Sequence, residues 1–121
     1  MKNMIKKLVM IAKAKGYRVQ FEQYGLDNCA ELYRQSKVIP VMNIILLYHN
    51  TDFLKLVVLS HEVGHLQTIK KTGLYFENVP YFEYKASQWA LRFLKQAGFN
   101  RLNEVKALLN KSLKNYEARL L

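Results

Sequence analysis

The stretch VLSHEVGHLQTI, residues 58–69, sets two histidines four positions apart with a glutamate directly after the first. Around it, from Phe53 to about Ile69, the chain is apolar on almost every side, which predicts a helix enclosed at the centre of the domain. Three polar groups inside such a helix cost several kcal/mol unless each finds a partner. Any fold of this chain must therefore bury the helix and bring polar partners, or a metal ion, to His61, Glu62 and His65.

Helical residues four apart share one face, a turn apart. His61 and His65 can therefore aim their imidazoles at one point, and imidazole nitrogens at about 2.0–2.1 Å suit zinc. Glu62 is rotated by about 100° from His61, so it is badly placed to ligate the same ion but can reach a water beside it. This is the division of labour in the H-E-x-x-H pattern, two ligands and one general base. Gly64 costs about 1 kcal/mol relative to alanine in mid-helix. Its missing side chain predicts the close approach of a strand, or of the helix that carries a third ligand.

A catalytic zinc site of this kind takes a third protein ligand and a water. Glu77, Glu83, Glu104 and Glu117 follow the motif. Glu83 is the best of them: it opens YFEYKASQWA, where Ala86 and Ala90 share its helical face and permit close packing, with Trp89 and Phe93 beside them. Glu77 is the alternative, on a loop that would hold it less rigidly.

The remaining elements are read from period and punctuation. Residues 3–15 predict a helix with Met4, Ile5, Leu8, Val9, Ile11 and Ala12 on its apolar face, ended by Gly16. Tyr17 to Tyr24 alternates as a strand does, and Gly25 to Asn28 supplies a turn. Ala30 to Gln35 fits a strand or a short helix. Val38 to Tyr48 is nearly continuous in apolar character and predicts a buried strand, with Pro40 as a ladder defect near its start. Asn50, Thr51 and Asp52 offer N-cap chemistry, and Lys70, Lys71 and Gly73 close the motif helix. Leu74 to Val79 is expected as a loop, Pro80 as a first helical residue, Tyr81 to Ala97 as a helix stopped by Gly98, and 101–120 as a last amphipathic helix.

At 121 residues one domain, 1–121, is the expected organisation. The lone Cys29 forms no internal disulfide, which fits a reducing compartment. No run reaches the roughly 20 apolar residues of a membrane span, and the N-terminal apolar stretch is too short for a secretory signal. A cytoplasmic protein is expected. The net charge of +10 is concentrated in residues 1–20 and 92–121. Basic ends suit DNA phosphates or an acidic protein, but no nucleic-acid motif accompanies them, and a solvated basic face explains them as well.

HEVGH followed by EYKASQWA, with Glu83, Ala86, Trp89 and Ala90, resembles the glutamate-type zincins and, more narrowly, the ImmA/IrrE family of phage- and mobile-element-type metallopeptidases of bacteria. The resemblance covers roughly residues 38–97, including the VIPVMNIILLYHNTDFLKLVVLS that leads into the motif. It implies an α+β fold: a compact zincin-like domain, with a small antiparallel sheet packed on a helical core that contains the H-E-x-x-H helix. It implies a zinc hydrolase with His61, His65 and Glu83 as metal ligands and Glu62 as catalytic base, acting as a site-specific endopeptidase on a repressor-type regulatory protein. Gln67 and FLKQAGFN depart from the family pattern.

In the expected mechanism Glu62 takes a proton from water and returns it to the leaving amine. A donor to the developing oxyanion is expected among Tyr48, His49, Tyr75 and Tyr81, and Val38 to Tyr48 is a candidate sheet edge for an extended substrate. The alternative is a non-catalytic zincin-like module that binds a regulator.

Overall fold

The computed structural model describes residues 1–22, 29–33, 41–45, 51–68, 79–116 and 119–120. Contacts divide the chain into two compact units, Met1–Leu59 and Ser60–Leu121. The turn at Gly25 to Asn28, Pro40, and the Lys70, Lys71 and Gly73 closure lie outside the described residues, as do Tyr48, His49, Tyr75, Glu77 and Glu117.

The first unit opens with helix α1 (Lys2–Ala14), which buries Leu8 and Ala12, one turn apart, and leaves its lysines in solvent. The helix ends as its sequence predicts. Gly16 takes φ +88, its N–H donates to the Lys13 carbonyl at 2.9 Å, and the Tyr17 N–H donates to that of Ala12 at 2.9 Å, a Schellman closure. Strand β1 (Arg18–Glu22) follows, then β2 (Cys29–Tyr33) and β3 (Val41–Ile45). The 30–35 segment, open between strand and helix in the sequence, is therefore extended over Cys29–Tyr33.

The three strands are ordered β1-β3-β2. β3 runs parallel to β1, with Arg18 opposite Val41 and Glu22 opposite Ile45. It runs antiparallel to β2, with Cys29 opposite Ile45. The expected α+β class, built on a small antiparallel sheet, is corrected here. The described chain is mostly helical: four α-helices of 13, 17, 18 and 12 residues stand against three strands of five. The sheet is mixed, and β1 and β3 are parallel. Period-two alternation reports that a segment is extended and which residues share a face; it carries no information about partner or direction. The most continuously apolar segment took the middle place, where both edges are hydrogen-bonded. β3 is thus not the sheet edge expected for an extended substrate.

Helix α2 (Asp52–Thr68) carries the motif. Thr51 caps it: the Leu54 N–H donates to Thr51 Oγ1 at 3.2 Å, a cap of about 1 kcal/mol. From Leu56 to His65 buried positions fall on more than one face, as a nearly all-apolar helix requires. At the other end the Thr68 hydroxyl donates to the Gly64 carbonyl at 2.7 Å.

In the second unit helix α3 (Val79–Gln96) begins one residue earlier than Pro80 suggests. It buries Ala86, Ser87, Ala90 and Leu94, and Trp89 stacks on Phe93 with ring centres 5.3 Å apart. It ends at Gly98, φ +78, with the Gly98 N–H on the Lys95 carbonyl and the Phe99 N–H on that of Leu94. Helix α4 (Leu102–Leu113) buries Val105, Leu109 and Leu113 at successive turns. It is shorter than the predicted 101–120, because a 3-10 turn (Lys114–Tyr116) follows. The tail then folds back: the Leu120 N–H donates to Asn110 Oδ1 at 2.7 Å, and Leu120 is buried. Among the described residues no helix is long and apolar enough to cross a membrane.

The contact that fixes α2 against α3 is at Gly64. A Cβ built there would fall onto the carbonyl oxygen of Ala86 and lie 3.0 Å from its Cα. This is the close approach that the glycine predicts, and the approaching backbone is that of the Glu83 helix. Gly64→Ala is expected to destabilise the protein by about 1–3 kcal/mol through overpacking, although alanine is the better helix former by about 1 kcal/mol. Urea denaturation followed by circular dichroism checks this; a variant more stable than wild type would refute the contact.

Candidate metal centre

α2 supplies His61, Glu62 and His65, and α3 supplies Glu83. The Gly64–Ala86 contact puts the two helices in a register that sets Glu83 between the two imidazoles. His61 Nε2 lies 2.8 Å from Glu83 Oε2, and His65 Nε2 lies 3.3 Å from Glu83 Oε1. One carboxylate thus bridges both rings, one oxygen to each. The rings stand edge to face, with centres 4.7 Å apart. His65 is 3% exposed, His61 13% and Glu83 12%, so the group is shielded but not sealed from solvent.

This set can hold a metal ion: one donor atom from each of His61, His65 and Glu83 lies within 4.8 Å of the others. A tetrahedron with bonds of about 2.0–2.1 Å has edges of about 3.3–3.4 Å. The two histidine–carboxylate separations, 2.8 Å to Oε2 and 3.3 Å to Oε1, lie below and at that edge. All three donors lie within 4.8 Å of one another, so they would have to draw together somewhat to share one ion. Two imidazoles and a carboxylate are also a donor set that suits zinc.

The electrostatics divide the two carboxylates. Burial opposes ionisation of Glu83, but its hydrogen bonds to His61 and His65 and their charges win and hold its pKa far below the usual carboxylate range. Glu62 goes the other way. Burial raises its pKa, and Glu83 adds to the rise, against the opposing pull of His61 and His65. Burial disfavours the charged His65 ring, yet the Glu83 hydrogen bond and the Glu62 and Glu83 charges outweigh it and raise its pKa.

One further residue contacts this cluster and another is influenced by its charges, and neither was singled out by sequence pattern. Ser87, fully buried, places its Oγ 2.9 Å from His61 Nδ1. Tyr116, in the 3-10 turn, is half-buried, and burial together with the Glu83 and Glu62 carboxylates raises the pKa of its phenol. A helical i, i+4 offset from Glu83 marks Ser87 in retrospect; nothing in the sequence spacing marks Tyr116.

The remaining expected site residues are placed elsewhere or not described. Glu104 sits in the first turn of α4, paired with Arg101, and is not part of the cluster. Tyr81 is 50% exposed and meets Phe82 edge to face. The basic C-terminal segment lines an open groove of about 830 Å³ with Lys106, Lys111, Lys114 and Arg119, none of which belongs to the cluster. No family model, curated protein or solved structure matches the chain.

The shifts fix a pH dependence. Glu62 and His65 bind their protons more tightly folded than unfolded, so stability falls as pH rises from 4.5 through the raised pKa of Glu62 and from 6.5 through that of His65. Glu83 contributes stability above 4.5 that is lost only as pH falls toward its low folded value. The metal-free protein is therefore expected to lose thermal stability as pH rises above 4.5 and again as it rises above 6.5, and Glu62→Gln to flatten the first of these falls. Melting temperatures across this range check it; an unchanged slope in Glu62→Gln would contradict the assignment.

Proposed function

We propose that the protein is a zinc metallopeptidase, a site-specific endopeptidase whose substrate is a repressor-type regulatory protein of a phage or mobile element. The observation that carries the peptidase reading is the convergence of His61, His65 and Glu83 beside a second carboxylate, Glu62, that is not part of the ligand set. The resemblance of HEVGH and EYKASQWA to the ImmA/IrrE family supports the substrate class.

His61 Nε2, His65 Nε2 and one oxygen of Glu83 would hold the zinc. A zinc ion in this place supplies a Lewis acid that polarises a carbonyl and acidifies water. Among the described residues three donors converge, the number of protein ligands typical of catalytic rather than structural zinc sites.

Glu62 is the general base. Its raised pKa brings it closer to working pH, where a carboxylate both accepts and returns a proton efficiently. It accepts a proton from the water that attacks the peptide carbonyl and then delivers it to the departing amine. One water is consumed, and a carboxylic acid and an amine are formed. Negative charge builds on the carbonyl oxygen meanwhile, and a neutral phenol is a suitable donor to it. Among the described residues Tyr116 is the tyrosine whose phenol both site carboxylates influence, which makes it a better candidate for this role than the exposed Tyr81.

Glu62→Gln is expected to keep stoichiometric zinc and lose cleavage, and His61→Ala to lose both, by metal analysis and cleavage of a repressor-type substrate. Full activity in Glu62→Gln would sink the mechanism. Tyr116→Phe should keep zinc and lower kcat by about 10²–10³-fold with KM little changed; a kcat equal to wild type would remove Tyr116 from the reaction.

A further inference from the structure

We propose that Ser87 is the positioning residue of this centre: its hydroxyl holds the His61 ring through Nδ1 so that Nε2 faces His65 and Glu83. The inference rests on the metal-site reading given above and assigns the group that orients one of its ligands.

Ser87 is 0% exposed, so water does not supply its hydrogen bond. A buried hydroxyl without a partner costs about 1–3 kcal/mol, and alanine is the better helix former at such a position. The partner is His61 Nδ1 at 2.9 Å, while the other ring nitrogen, Nε2, is 2.8 Å from Glu83 Oε2. Both edges of the imidazole are therefore held, and both holding groups come from α3, one turn apart. Ala86, between them, is the residue whose backbone meets Gly64. Three positions of one helix turn thus set the register, supply the third ligand and orient the first.

A hydroxyl suits this place because it both donates and accepts. In the neutral ring with its proton on Nε2, the Nε2–H donates to Glu83 and the Ser87 O–H donates to Nδ1. With Nε2 given over to a metal, the proton sits on Nδ1 and donates to Ser87 Oγ. A carboxylate accepts only and would fit the second arrangement alone. Ser87 therefore holds the ring in the same orientation before and after metal binding, so little reordering opposes uptake. Partners of this kind are typically worth 10–100-fold in metal affinity.

The test uses the full chain with zinc as the probe, in wild type, Ser87→Ala and Ser87→Thr. Competition against a chelator gives the zinc dissociation constant, and long-range proton–nitrogen NMR gives the protonated ring nitrogen of His61. Ser87→Ala is expected to raise the dissociation constant about 10–100-fold with the circular dichroism spectrum retained. Ser87→Thr, which keeps the hydroxyl, restores affinity. In zinc-loaded wild type the His61 proton resides on Nδ1, and Ser87→Ala weakens its hydrogen-bonded signal. Wild-type affinity in Ser87→Ala would overturn the role of Ser87 and leave the metal site standing. A wild-type chain that takes no zinc would overturn both, and that outcome is read from the wild-type arm alone.

Discussion

The close approach of the Gly64 and Ala86 backbones is the constraint on which the rest of the site depends. Two helices that nearly touch at one point cannot slide along each other without a clash, so their register is set there. Glu83 stands three residues before Ala86 and Ser87 one after it. Across the contact, His61 is three residues before Gly64 and His65 one after it. The contact thus lies within the span of the four polar groups it aligns, and small errors in helix position translate into small errors at the donors. Glycine's lower helix propensity, about 1 kcal/mol, is the cost of that closeness.

Once the register is set, the site separates two carboxylates by environment. Glu83 lies between two imidazoles and stays ionised. Glu62, one residue from His61, faces burial more than it faces those rings and tends toward its neutral form. The same chemical group is thereby suited to two tasks, holding a cation and moving a proton. The distinction comes from the helical rotation of about 100° per residue, which turns Glu62 out of the cluster while leaving it beside it.

Much of this was legible in the sequence. The spacing of His61 and His65 placed both rings on one face, the alanines after Glu83 marked the helix that could come near, and Gly64 marked where. Thr51 starts its helix, and Gly16 and Gly98 end theirs, by local hydrogen bonds, which is why punctuation located them. The sheet was less legible: alternation in residues 17–24 and the apolar run at 38–48 gave extended segments, but the parallel pairing of β1 with β3 is a long-range choice. Ser87 and Tyr116 were missed for the same reason. Their importance depends on which residue faces them across a helix contact or from a turn. The tail that folds back onto Asn110 shortened the last helix in a way that amphipathic periodicity through Tyr116 does not reveal.

We propose that His61, His65 and Glu83 are the protein ligands of one zinc ion. X-ray absorption at the zinc edge, on the full chain loaded with one equivalent, tests it most directly. Four-coordinate zinc with only nitrogen and oxygen neighbours at about 2.0–2.1 Å and the outer-shell signal of two imidazoles is expected. A sulfur neighbour at about 2.3 Å, which Cys29 would give, or zinc without imidazole scattering, would contradict it.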